Sequence, residues 1–166
     1  MSKKLYIGID NGVSGTIGVV GEKTVFTKIP VKVELDYTKA KANLTRIDYK
    51  KLYDLLNDIC GEYQNDEIII AIERPMVNPT RFVATKSALR ALESVLICIE
   101  ALEIPFQFID SKEWQKKMLP SGIAGEELKR ASTMVSNRLF PNFKDIKHPD
   151  RDGILIAEYL RKTYEK

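Results

Sequence analysis

Histidine, cysteine and tryptophan are scarce in this chain. Its 166 residues include one histidine, His148, two cysteines, Cys60 and Cys98, and one tryptophan, Trp114. A zinc site of the ordinary Cys/His kind cannot be assembled from that stock. Both cysteines fall in apolar helical patterns and are expected to be free, buried thiols. No apolar run approaches the roughly 20 residues that a membrane span needs. The N-terminus has a basic start but lacks the apolar stretch of a secretion signal. A cytoplasmic protein without a membrane partner is therefore expected. Repeats, low-complexity tracts and linkers are missing as well, which excludes fibrous and disordered classes. Residues 1–166 are expected to form a single domain.

Hydrophobic residues make up 44% of the chain and charged residues 30%, an ordinary globular balance. The net charge of +3 says little by itself, but the charge is unevenly placed. From Arg74 to Leu92 the chain carries Arg74, Arg81, Lys86 and Arg90 and no acid. Residues 31–51 are basic too, diluted by Glu34, Asp36 and Asp48. Such segments can hold a polyanion, or can be solvated surface.

Apolar runs at Leu5–Asp10, Thr16–Val20 and Thr24–Ile29, joined by Asn11-Gly12 and by Gly21-Glu22-Lys23, predict an antiparallel meander of three strands. The polar stretch 30–46 shows no clear period and is expected to be a loop. Asp48 can cap a helix over about 49–62, with Leu52, Leu55, Leu56 and Ile59 on one face. Glu67–Glu73 reads as a buried strand, residues 84–102 as a long helix, and Phe106–Ile109 as a further strand. Helices over about 125–139 and 150–164 complete the order. A meander followed by alternating units predicts an α/β fold: a five-stranded mixed sheet flanked by helices, with strands one, four and five parallel. Ligands in such sheets collect at the carboxyl ends of the strands.

Two of those carboxyl ends carry acids. Asp10 ends the first strand, Glu73 ends the fourth, and Asp152 opens the last helix in His148-Pro149-Asp150-Arg151-Asp152-Gly153. Each has a plainer role: turn former before Asn11-Gly12, ion-pair partner of Arg74, helix cap. Charge at the end of an otherwise apolar strand is nevertheless unusual. Three converging carboxylates repel one another unless a cation neutralises them, and hard oxygen ligands favour Mg²⁺ or Mn²⁺.

Gly8-Ile9-Asp10-Asn11-Gly12 with Gly15-Thr16, Ala71-Ile72-Glu73-Arg74-Pro75, and Asp152-Gly153-Ile154-Leu155-Ile156-Ala157 together resemble the three acidic motifs of RuvC-type Holliday junction resolvases. The closer likeness is to phage-borne members. The first motif alone is shared with sugar kinases and actin-like ATPases. The resemblance implies an RNase H-like fold, a homodimer, and a metal-dependent endonuclease that cuts branched DNA to leave 5′-phosphates. It also implies two metal ions per site, with Asp10, Glu73 and Asp152 as ligands and catalytic residues.

One position departs from the bacterial pattern, which has a second acid three residues before the last Asp. Here that residue is Pro149, which cannot ligate. His148, four residues before Asp152, shares a helix face with it if the helix starts early, with Pro149 as its first residue. Asp150 needs an irregular first turn to reach the same point. His148 is the favoured fourth ligand, with Asp150 as the alternative. A non-ligating His148 could instead be a general base.

Arg74, Arg81 and Lys86 are placed to meet phosphates flanking the scissile one. Phe82 is the better candidate than Met76 for a wedge that stacks on an exposed base, against the alternative of a core phenylalanine. Lys112, Lys116 and Lys117 surround Trp114, expected to be a partly buried packing residue, and Lys129 and Arg130 follow the loop 120–125. Lys112, Lys116 and Lys129 are further DNA-contact candidates. Ala84, Ala88 and Ala91 on the long helix offer a small-residue stripe for a second copy, or for simple core packing. Three other functions compete: a kinase-like ATPase, for which a second domain is lacking, a nuclease acting on RNA or RNA–DNA hybrid, and a DNA-binding module without activity.

Overall fold

A computed structural model describes residues 3–165. Its strands are β1 (Leu5–Asp10), β2 (Thr16–Val20), β3 (Val25–Lys28), β4 (Val31–Leu35), β5 (Asn43–Ile47), β6 (Ile68–Glu73) and β7 (Phe106–Ile109). Its helices are α1 (Tyr49–Cys60), α2 (Phe82–Ala101), α3 (Ser111–Met118), α4 (Glu126–Leu139) and α5 (Asp152–Tyr164). The main sheet has the order β3-β2-β1-β6-β7. Antiparallel pairing joins β1 to β2 and β2 to β3, and parallel pairing joins β1 to β6 and β6 to β7. This is the mixed five-stranded sheet that the meander and the alternating units predict.

Side-chain alternation divides the sheet into two faces. Leu5, Ile7 and Ile9 of β1 and Ile68, Ile70 and Ile72 of β6 point to one side, packed with Leu52 and Leu56 of α1 and Val95 and Ile99 of α2. Tyr6 of β1 and Ala71 of β6 point to the other, with Ile154, Leu155 and Ala157 of α5 and Trp114 and Met118 of α3. Each such aliphatic side chain contributes roughly 1.5–3 kcal/mol through burial. Cys60 and Cys98 are free and buried, as expected.

α5 lies almost in contact with the sheet backbone, and two glycines make that approach possible. A Cβ on Gly8 would fall 2.3 Å from the Gly153 carbonyl oxygen, and one on Gly18 would fall 2.2 Å from Ile154 Cα. Residues Gly153 to Leu160 of α5 are consequently all buried.

Two expectations fail. Residues 30–46 are not a loop: β4 and β5 form a separate antiparallel hairpin, with Val31 opposite Ile47 and Leu35 opposite Asn43. The period-two pattern of Val31, Val33 and Leu35 is present but is masked by charged residues between them. α3 is an eight-residue helix absent from the expected order. It carries only Trp114 and Met118 as buried anchors, one turn apart, within a run of lysine, glutamate and glutamine. No helix among the described residues is long and apolar enough to cross a membrane.

Candidate active site

Register places the first two acids. Ile9 of β1 pairs with Ile72 of β6 in parallel, so Asp10 and Glu73 are the next residues on adjacent strands. Both follow residues aimed at the α1/α2 face, so both point toward α5. α5 begins at Asp152, delivered to the same edge by the close packing of Gly153 and Ile154 on β1 and β2. Carboxylate oxygens of Asp10, Asp150 and Asp152 all lie within 4.8 Å of one another. Glu73 lies on the far side of Asp10: Asp10 and Glu73 share one cavity of about 250 Å³, while Asp10, Asp150 and Asp152 share a neighbouring cleft of about 730 Å³.

Each acid has its own support. The buried Thr16 hydroxyl donates to Asp150 Oδ1 at 3.1 Å and accepts the Gly153 backbone N–H at 3.1 Å. Asp150 Oδ1 also accepts the Asp152 N–H at 2.8 Å. Trp114 Nε1 donates to Glu73 Oε2 at 2.6 Å. Trp114 is completely buried, more so than its sequence context suggests. Arg151, between the two aspartates, is also buried; its guanidinium donates to the carbonyls of Phe143 and Ile146 and lies over the Phe26 ring. It pins the loop that carries His148 and Asp150 to the start of α5.

Burial is the first cause of the electrostatic strain. It pushes Asp10 well above the usual carboxylate range, assisted by a side-chain hydrogen bond to Asp150 and by the charges of Asp150, Glu73 and Asp152. Asp152 is pushed up to about 7 by burial and then by Asp150 and Glu73, against a lowering hydrogen bond from Ser132. Glu73 is raised by burial, with the Trp114 hydrogen bond holding it down. Desolvation lowers the Arg151 guanidinium from its usual range.

His148 takes a different place from the one its spacing suggests. α5 begins at Asp152, so His148, Pro149 and Asp150 all lie in the preceding loop and no helix face is shared. His148 Nδ1 accepts the Asp150 backbone N–H at 3.1 Å. The ring lines the larger cleft, but it is Asp150 that joins Asp10 and Asp152 in the compact group.

The predicted DNA contacts are dispersed. Arg81 and Arg74 line the smaller cavity; Arg74 also pairs with Asp110 at 2.9 Å and lies over Phe108. Phe82 is 70% exposed, so it is not a core residue, and Lys86 lies over its ring at 5.5 Å. Lys129 lines the larger cleft and pairs with Glu126 at 3.4 Å. Lys112 and Lys116 are exposed on α3 and line neither cavity. Lys28 and Lys147, which sequence reasoning passed over, do line the larger one. The alanine stripe divides: Ala91 is buried, Ala88 is half-buried with its carbonyl accepting from Asn11, and Ala84 is exposed, Ala84 and Ala88 lining the smaller cavity.

No family model matches the sequence, and no curated protein matches it. Solved structures do. Thermus thermophilus RuvC in complex with Holliday junction substrate superposes with a TM-score of 0.61 at 15% identity, covering 94% of this chain and 92% of that one. A second Thermus thermophilus RuvC structure gives 0.54 at 14% identity, with 96% of each chain covered. At such identities the likeness establishes the architecture: the chain has the RNase H-like fold of RuvC, with its candidate acids at the carboxyl edge of the central parallel strands.

Proposed function

We propose that residues 1–166 form one nuclease domain, a divalent-metal endonuclease that resolves Holliday junctions or related branched DNA. The observation that carries this reading is the convergence of Asp10, Asp150 and Asp152, with Glu73 beside Asp10, on a RuvC-like framework. The donor set is all carboxylate oxygen, half-buried, and strained by its own charge. It suits hard cations such as Mg²⁺ or Mn²⁺ and excludes soft ones. Asp10 would be shared by two ions, Glu73 would hold one, and Asp150 with Asp152 the other. This assigns to Asp150 the fourth place that the helical spacing favours for His148. When bound, such ions would supply an activated water and stabilise the attacking and leaving oxygens of phosphodiester hydrolysis.

The chain's own groups do the rest. Thr16 holds Asp150 in place and ties it to the first turn of α5. Trp114 fixes the orientation of Glu73 through its indole hydrogen bond. His148, whose Nδ1 accepts the Asp150 backbone N–H, presents Nε2–H as a hydrogen-bond donor on the cleft wall. Arg81, Lys86 and Phe82 form the entrance from the α2 side. The protein would act as a homodimer matching the two-fold symmetry of a junction. The large apolar residues that α2 exposes, and so could offer a second copy, are Phe82, Val83, Leu89 and Ile97.

The test is cleavage of a four-way junction, a linear duplex and an RNA–DNA hybrid with Mg²⁺ or Mn²⁺. Symmetric cutting of the junction to 5′-phosphates, abolished in Asp10→Asn and Asp150→Asn, is the expected result. Preference for the hybrid would replace the substrate assignment, and full activity in both variants would remove the metal site.

A further inference from the structure

The hairpin β4–β5 is built the wrong way round for a supporting element. Its apolar residues Val31, Val33 and Leu35 face solvent, Val33 being 66% exposed, while Lys32, Glu34 and Arg46 are half-buried on the opposite side and pair with one another. At the tip, Tyr37 is 95% exposed between Asp36 and Lys39. The tip is ordered: the Asp36 carboxylate accepts both the backbone N–H and the hydroxyl of Thr38, and Asp36 N–H bonds to the Ala42 carbonyl. Lys41 sits at φ 47°, a left-handed conformation that glycine or asparagine adopts more cheaply. A lysine is thus displayed where a turn residue would cost less. Lys39 and Lys41 are exposed and take part in no ion pair among the described residues.

Position connects this surface to the acids. Lys28 and Val31, at the root of the hairpin, line the same cleft as Asp10, Asp150 and Asp152. Asp36, at the far end of β4, lies close enough to Lys86 of α2 to feel its charge. The tip of the hairpin therefore lies beside the start of α2, while its root reaches the acidic cleft. From Tyr37 to Lys51 the chain carries five basic residues against the single acid Asp48. An apolar strip alone would suit a second copy of the chain equally well. The local excess of positive charge, continuous with the cleft, selects a polyanion.

We propose that the β4–β5 hairpin is a second nucleic-acid arm: Lys39 and Lys41 hold backbone phosphates of a duplex arm entering the cleft, and Tyr37 packs against its bases or sugars. The assignment rests on the branched-DNA reading above, and deepens it by naming a surface beside α2 that orients the substrate.

The experiment measures binding of a labelled four-way junction in EDTA across a salt series, followed by single-turnover cleavage at saturating enzyme. The variants are Lys39→Glu/Lys41→Glu and Tyr37→Ala. Lys23→Glu/Lys162→Glu makes the same charge change, with Lys23 in the β2–β3 turn at the sheet edge opposite Asp10. The hairpin pair should weaken junction binding at least tenfold and flatten the log–log salt slope by about 1.8, or 0.9 for each phosphate lost. Tyr37→Ala should weaken binding roughly fivefold or more. The control pair should change both far less, and cleavage once bound should stay within about twofold in all three. Apart from Lys23, which is half-buried beside the Tyr63 ring, these side chains are exposed; unchanged melting temperatures are expected and separate contact from folding. Wild-type affinity and slope in the hairpin variants, or an equal loss in the control, would overturn the arm while leaving the nuclease reading intact. Conversion of a dimer to a monomer by Tyr37→Ala in sedimentation would reassign the hairpin to a second copy. A wild-type protein that neither binds nor cuts branched DNA would overturn both.

Discussion

β1 and β4 are strands of similar length and similar alternating character, yet their side chains take opposite courses. In β1 every second residue enters the α1/α2 core, and the intervening ones meet α5 so closely that glycine is required. In β4 the aliphatic residues look outward and the charged ones pair beneath them. β1 belongs to a sheet covered on both sides, and its terminal acid is buried by that cover. β4 belongs to a two-stranded ribbon with one covered side. The same alphabet therefore yields a desolvated, electrostatically strained acid at one place and a solvated aliphatic strip leading to a lysine-bearing tip at the other. On the nuclease reading proposed above these are complementary needs: one region would gather negative charge for cations, the other positive charge for phosphates.

The sharpest break in that comparison is Asp10→Asn. Removing the shared carboxylate should lower cleavage by two orders of magnitude or more, about 3 kcal/mol of transition-state stabilisation, while junction binding persists. Without metal the variant should melt no lower than wild type, because repulsion with Asp150 and Asp152 is relieved. Near-normal turnover would show that burial of the acid serves folding alone.

A pH series sharpens the same point. Asp152 titrates at about 7 in the fold against an ordinary 3.8. Between those values the folded chain holds a proton that the unfolded chain has released, so stability must fall as pH rises through the window and level off above 7. Asp10 and Glu73, raised as well, add to the same trend. The decline should be a few kcal/mol in EDTA, should flatten in Asp152→Asn, and should be largely offset by Mg²⁺. Calorimetry from pH 4.5 to 8 provides the check, and a wild-type profile that rises with pH would contradict the buried cluster.

Trp114→Phe probes the support rather than the acid. The indole hydrogen bond to Glu73 is lost and a small void is left, so activity should drop roughly 10–100-fold, as for other groups that orient a metal ligand. The Mg²⁺ concentration for half-maximal rate should rise with it. Unaltered metal dependence would reduce Trp114 to a packing residue. The smallest effects separate the two strands directly. Ile7→Val in β1 should cost about 0.5–1.5 kcal/mol, whereas Val33→Thr in β4 should stay within about 0.5 kcal/mol in denaturant unfolding. Equal costs would mean that β4 is covered in solution.

Periodicity carried the sheet and the large helices because α1, α2, β1 and β6 each bury a regular apolar set. It also placed Asp10, Glu73 and Asp152, since strand ends and a helix start are visible in the chain. It missed α3, whose two anchors are too few to stand out among lysines and glutamates. It missed the hairpin because an exposed ribbon has no reason to be apolar on its inner side. The tertiary partners were out of reach for a different reason. Thr16 and Asp150 are 134 residues apart and Trp114 and Glu73 are 41 apart, and no local pattern links them. The helical spacing of His148 and Asp152 misled because Arg151 is drawn into the core and delays the start of α5.

The close seat of α5 on β1 has a consequence for synthesis. Asp10 leaves the ribosome about 140 residues before Asp152. At roughly 5–20 residues per second that interval is on the order of 10–30 s. During it the sheet edge holds Asp10 and Glu73 but no Asp150 or Asp152, and the trench that Gly8 and Gly18 leave for α5 is open. A chain still being translated therefore holds half of the acidic cluster. On the nuclease reading proposed above, cutting competence would arrive in one late step, when α5 docks.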